Sequence, residues 1–235
     1  MSASPRWFAT DASKAAIDGL DGIEQAILTA ALDASVTRSG VLGRQRDADT
    51  MVDMARLPYL NIDEFPEEMR SLLAGLPQLN IYRLLAHTPN AFQVLSLAAV
   101  NMYQAEIDQR RRELAILRVA YLTGSRYQWT QHVTLARSLG VSEAHVEAIP
   151  RGADAEVYTD VEKLVLRFTD EMTGNIKVSE STFQALAEHL NARCLMELAI
   201  AIGMYGMMAR IMETFEVELE PTAGTYTVDS LRPRG

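Results

Sequence analysis

The stretch from Gln109 to Leu122 constrains the fold of this chain more than any other. Beyond Arg112 it is apolar on nearly every side of a helix: Leu114, Ala115, Ile116, Leu117, Val119, Ala120 and Leu122. A helix that is hydrophobic all round is normally a buried one, so other helices have to enclose it. The same helix carries Glu113, and a carboxylate inside a core is costly unless it is paired or does chemistry. Nineteen positions further on stands His132, on the next helix, one turn from Trp129. Two titratable groups on consecutive, mostly apolar helices are the usual ingredients of a proton-transfer site.

The rest of the chain keeps the helical period, and no run reads as a strand, so the expected class is all-α. Residues 12–34 place Ala16, Leu20, Ile23, Ile27 and Ala30 on one stripe, weakened by Gly19 and Gly22. A polar linker follows. The reading is a helical arm and linker over 1–55, a helical domain over 56–220 and an irregular tail over 221–235. Within the domain, Thr88-Pro89 and Ser142 are helix starts, Thr159-Asp160-Val161-Glu162 is a capping box, and Ser179 opens another helix. Thr123-Gly124 and Gly140 are stops. The last helix, about 193–215, is rich in methionine (Met196, Met204, Met207, Met208, Met212), which suits a core or a subunit interface.

A formal net charge of −9 argues against nucleic-acid binding, and Arg110-Arg111-Arg112 reads as a solvated helix start. The single cysteine, Cys194, rules out an intramolecular disulfide or a CxxC pair within the chain and reads as a small buried hydrophobe. Leu195 to Met212, interrupted by Glu197 and Arg210, falls short of a clean membrane span. No apolar signal segment is expected near the N-terminus, so the cytoplasm is the expected compartment. Spacing gives no metal site, no phosphate loop and no other cofactor signature.

Glu113 shares a face with Leu117 and Ala120 and points to the core or to a cavity. It serves either an ion pair, for instance with Arg83, or a pair with His132. Ser125 and Gln128 are either substrate-binding residues or, since they fit a second capping box, structural ones. His87, His145 and His189 are weaker candidates, on helix ends and polar surfaces.

Arg112-Glu113-Leu114, Tyr127-Gln128-Trp129-Thr130-Gln131-His132 and Leu135-Ala136-Arg137-Ser138-Leu139-Gly140-Val141 resemble the carboxymuconolactone decarboxylase family, within the alkylhydroperoxidase D-like superfamily. The upstream Leu84-Leu85-Ala86-His87-Thr88-Pro89 adds to the likeness. The resemblance covers roughly 57–215. It implies a helical bundle assembled into homotrimers or hexamers. In the peroxidase branch a glutamate, a CxxC pair and a histidine form a relay. Glu113 and His132 match its outer members, while Ser125 and Gln128 occupy the cysteine positions. Neither supplies a thiolate, so disulfide-based peroxidase chemistry is not expected there.

The resemblance to the branch without cysteines implies a cofactor-free lyase or isomerase acting on a small carboxylated, unsaturated or lactone substrate in aromatic catabolism. His132 would be the acid/base and Glu113 its orienting partner. Tyr127 or Trp129 would be a wall or donor, and Arg83 or Arg118 a carboxylate clamp. The alternatives are a peroxidase using Cys194 or a partner's thiol, and a non-catalytic oligomeric binding module.

Overall fold

A computed structural model describes residues 55–65, 67–73 and 78–224. The expected arm helix, its linker up to residue 54 and the tail beyond 224 lie outside the described residues. The described elements are α1 (Glu67–Leu73), α2 (Asn80–Leu85), α3 (Pro89–Tyr103), α4 (Gln109–Thr123), α5 (Arg126–Ser138), α6 (Glu143–Ala148), α7 (Asp160–Asn175), α8 (Glu180–Ala187) and α9 (Ala192–Thr214). Short 3₁₀ turns occupy Ile62–Glu64 and Ile149–Asp154, and the described residues contain no strand.

The all-apolar helix is the centre, as its composition requires. Every residue of α4 from Arg112 to Ala120 is buried, and α5, α7 and α9 pack around it. One side, through Ala115 and Val119, joins a core of Val165, Phe168, Leu186, Leu198 and Ile202. The other, through Leu114 and Leu117, meets Ala136, Val146, Ile149 and Leu166. Each such aliphatic side chain contributes about 1.5–3 kcal/mol by leaving water, which fixes α4 far more firmly than helix propensity does.

Asp108 caps the start of α4 by accepting from the Arg111 amide, and Gly124 ends it in the left-handed region at φ 70°. That turn folds α5 back along α4. The register is visible in two contacts: Gln128 Nε2 donates to the Ile116 carbonyl at 3.2 Å, and His132 Nδ1 lies 2.8 Å from Glu113 Oε2. The capping box at Thr159 and Glu162 forms as its sequence requires. A smaller cluster of Phe65, Met69, Ala86 and Phe92 holds α1, α2 and α3 together, and Ile81, Tyr127 and Met212 tie α2 to α5 and α9.

Two expectations need correction. In the arginine run at the start of α4, Arg110 and Arg111 are half-exposed but Arg112 is not. Arg110 reaches Glu162 at 2.5 Å and His145 at 2.7 Å, and Arg112 is only 2% exposed. A central helix brings its first turn inside, and charges there have to be paired. By length and by a mean hydropathy of 1.5, α9 does meet the measure of a membrane span. In this fold it buries Leu198, Ala201 and Ile202 along its inner side and exposes Met196, Ile200 and Met207.

Candidate active site

A cavity of about 130 Å³ opens between α2, α3, α5 and α9. Its walls are largely aliphatic and thioether, including Ile81, Leu85, Leu95, Met204 and Met208. His132 reaches it from α5 with its side chain 12% exposed, and Glu113 stands behind it at 1% exposure. Glu113 therefore does not face the cavity. Its Oε2 accepts from His132 Nδ1 at 2.8 Å, while its Oε1 lies 3.5 Å from an Arg112 guanidinium nitrogen. Arg112 also donates to the Met102 carbonyl. The buried carboxylate thus sits between a guanidinium and an imidazole, which is how a charge is tolerated at that depth. The ion-pair partner is Arg112, not Arg83.

This arrangement defines the imidazole. A carboxylate only accepts, so Nδ1 keeps its proton and Nε2 is left to gain or lose one. Tyr205 meets the ring edge-on, with centroids 4.7 Å apart at 86°, and holds its plane. A proton taken at Nε2 makes an imidazolium that Glu113 stabilises directly.

The other expected site residues divide sharply. Tyr127 and Gln128 line the cavity with His132, whereas Trp129 packs on the opposite face of α5 against the Leu114–Leu117 core. Tyr127 donates to the buried Glu220 carboxylate. Burial first, and then that carboxylate, push its phenol well above the ordinary range, so it stays protonated and serves as a wall. Ser125 and Gln128 do not form the expected capping box. Gln128 turns inward to Ile116, and no cap bond forms from Ser125. As a result Ser125 Oγ and Gln128 Oε1 are both buried without a hydrogen-bond partner.

Neither arginine clamp reaches the cavity. Arg83 donates to the Leu60 carbonyl at 3.0 Å and to Asn80 Oδ1 at 3.2 Å, and lies over the Tyr59 ring. Arg118 pairs with Asp170 at 2.5 Å and donates to the Ile149 and Pro150 carbonyls at 2.6 and 3.0 Å. It packs so tightly on Gly152 that a Cβ there would fall 2.8 Å from its Nη2, at a residue whose φ is +58°. Arg118 is a structural fastener between α4, α7 and the turn at Ile149–Asp154. Arg118→Ala is expected to lower stability by about 2–3 kcal/mol, since charge-assisted bonds are lost and Asp170 is left unpaired. A urea titration checks the loss, and ligand binding in the cavity should be unchanged.

Cys194 is buried in the core shared by α4, α7 and α9, and burial first, then Glu106 and Glu197, raises its thiol pKa. It begins α9, ten residues before Met204 and so about 15 Å from it along the axis. The peroxidase reading through Cys194 is therefore corrected: the thiol does not line the cavity, and its environment disfavours the thiolate. His87 bonds to the Pro58 carbonyl at 2.8 Å, and His145 to Ser142 at 2.6 Å; His189 is exposed. Among the described residues, no group of three His, Cys, Asp or Glu side chains is placed to hold a metal.

Three groups at the cavity were missed from the sequence. Met204, Met208 and Met212 are cavity wall as well as core. Gln131 also lines it and donates to Glu220 Oε2 at 2.7 Å. Glu220 belongs to a segment after α9 that crosses α5, where Thr134 donates to the Gly224 carbonyl at 2.5 Å. A residue outside any periodic element gives no spacing signal, and Val217-Glu218-Leu219-Glu220-Pro221 carries two acids with nothing in the sequence to single out Glu220.

Comparison with known proteins agrees with this architecture. Residues 89–171, which include Glu113, Ser125, Gln128 and His132, match the carboxymuconolactone decarboxylase family. An uncharacterized protein of Bacillus subtilis (strain 168), YdfG, is 23% identical over 110 residues, covering 46% of this chain and 75% of that protein. Among solved structures, an uncharacterized peroxidase-related protein with an alkylhydroperoxidase AhpD core, from Ralstonia eutropha JMP134, superposes with a TM-score of 0.63 at 17% identity, covering 73% of this chain and 97% of that one. The debrominase Bmp8 superposes at 0.60 with 16% identity, covering 71% and 92%. The structural likenesses establish a shared helical fold. Over residues 89–171 the chain is similar to the carboxymuconolactone decarboxylase family, and it shares its helical fold with the AhpD-like structures.

Proposed function

We propose that this protein is an acid/base lyase or isomerase that needs no cofactor and acts on a small unsaturated or lactone substrate, with His132 as proton carrier and Glu113 as its positioning partner. The observation that carries the reading is the 2.8 Å contact from Glu113 to His132 Nδ1, with the imidazole at the wall of an apolar cavity. In such surroundings one proton moves next to a carbonyl without competing water. Double-bond migration is such a transfer made twice, one proton leaving carbon and one returning at another carbon, with no change in charge or oxidation state.

The carboxylate clamp is not retained in this proposal, because Arg83 and Arg118 are engaged elsewhere. The binding-module reading is disfavoured by an imidazole that meets a cavity instead of packing on Trp129. The test is a panel of single-ring unsaturated lactones and cyclic enones followed by ultraviolet absorbance, with cumene hydroperoxide and a thiol reductant in parallel. Turnover of a ring compound that fails in His132→Ala supports the proposal. Peroxide consumption without any ring turnover would replace it with a redox reading.

The exposed apolar row Met196, Ile200 and Met207 on α9 also supports assembly into a homo-oligomer, since such a row normally lies in an interface. Light scattering at micromolar concentration should give a multiple of the chain mass; a clean monomer would refute this.

A further inference from the structure

An engineered cavity of about 150 Å³ holds benzene, so the 130 Å³ here matches one six-membered ring. In so small a space, each accessible polar group on the wall meets the same ligand as His132. Most of these groups are committed. Tyr127 and Gln131 hold Glu220, and Gln131 also accepts from the Gly224 amide at 3.3 Å. Gln128 is closed off: its nitrogen bonds the Ile116 carbonyl and its oxygen is buried away from the cavity. Tyr205 is set edge-on against the His132 ring. Two hydroxyls are left, Ser96 on α3 and Tyr82 on α2.

A serine inside a helix can turn its hydroxyl back onto the carbonyl four residues earlier, so Ser96 can satisfy itself without a ligand. A tyrosine hydroxyl stands too far from its own backbone for that. The Tyr82 ring lies edge-on against Phe92, with centroids 6.2 Å apart at 88°. Its phenol is under the influence of Glu220, which is held between Tyr127 and Gln131 on the cavity wall. Tyr82 is half-buried, and its hydroxyl makes no hydrogen bond with any described residue. Burial first, and then Glu220, push this phenol up to about 12, so it keeps its proton and stays a donor at neutral pH. A desolvated donor without a partner is costly, and a ligand oxygen that accepts from it recovers that cost.

Resting on the reading of this cavity as the substrate site, we infer that Tyr82 is a second catalytic residue, whose hydroxyl donates to a ring carbonyl oxygen while His132 acts on the neighbouring carbon. When Nε2 takes the proton there, the C–H electron pair shifts onto the carbonyl oxygen and an enolate forms. The hydrogen bond from Tyr82 strengthens as that oxygen gains charge, which lowers the barrier. In an unsaturated ring the proton then returns from Nε2 to the far end of the dienolate, the carbonyl re-forms, and nothing else is consumed. The substrate class is an uncharged single-ring ketone or lactone, since no lysine or arginine lines the cavity to hold an anion.

Equilibrium binding tests this without any turnover, so its failure is distinct from failure of the proposed reaction. Cyclohexanone and methylenecyclohexane, which carries CH₂ in place of the oxygen, are titrated into the full chain, and the His132 ring resonances locate each by NMR. Tyr82→Phe keeps the ring against Phe92 and removes only the hydroxyl. It should weaken cyclohexanone about tenfold and leave methylenecyclohexane unchanged. The carbonyl stretch of bound cyclohexanone, read in the infrared, should lie lower in the native chain than in Tyr82→Phe, a shift that altered packing does not produce. Equal affinity in the two proteins or an unchanged stretch would overturn the inference and leave the cavity reading standing, as would a loss confined to Ser96→Ala. If neither compound moves the His132 resonances, the inference and the cavity reading fall together. If Tyr82→Phe does not fold, the native stretch alone decides: a value equal to that of cyclohexanone in hexane would overturn the inference.

Discussion

His132→Ala and Glu113→Gln each lower turnover by about 10²–10⁴-fold, the range that positioned acid/base groups contribute. The two losses should differ in kind. His132 carries the proton, so its removal abolishes the step and leaves ring binding intact. Glu113 touches only Nδ1, and Gln in its place can still meet the imidazole but no longer stabilises the imidazolium. The activity left in Glu113→Gln should therefore depend on pH differently from wild type, whereas a merely structural role would lower kcat without changing the profile. Steady-state kinetics across pH, with circular dichroism to show that both variants fold, separates these outcomes.

The second large effect is expected at Arg112. Its guanidinium, 2% exposed, bonds the Met102 carbonyl and lies 3.5 Å from Glu113. Arg112→Met keeps much of the volume and strips the charge, leaving Glu113 in the core with the imidazole alone. Breaking a buried pair from one side costs about 3–5 kcal/mol. In Glu113→Gln the same substitution should cost clearly less, since no charge is left stranded, and the difference is the coupling between the two residues. Urea denaturation of the four proteins in this cycle measures it. Equal losses in both backgrounds would show that Arg112 acts through packing and Met102 only.

These two predictions also mark where the sequence was informative. The central place of α4 was legible because a helix apolar all round has nowhere else to go, and the Thr123-Gly124 stop made a hairpin with α5 the natural continuation. That hairpin brings Glu113 to His132. What surrounds the pair was not legible. Arginine side chains are long, and their partners lie far off in sequence: Arg118 finds Asp170 fifty-two residues away, and Arg83 finds Leu60 twenty-three residues back. Proximity on a helix said nothing of such choices.

Gln128 is subtler. The capping-box pattern was real as a pattern, but the carbonyl of Ile116 on the neighbouring helix captured the amide, and a tertiary contact overrode a local one. The methionines of α9 show the same limit. Spacing gives a stripe, yet only the packed bundle decides that Met204 and Met208 wall a cavity while Met196 and Met207 stay outside.

If His132 moves a proton to and from carbon inside this cavity, deuterium exchange makes that movement visible. The single-ring lactones and enones are incubated with the protein in D₂O, and proton NMR follows loss of the signal next to the carbonyl. The native chain should exchange at least one of them well above background, and His132→Ala, still folded and still binding the ring, should not. Exchange at equal rates in the two proteins would contradict it, as would no exchange of any member of the panel by the native chain.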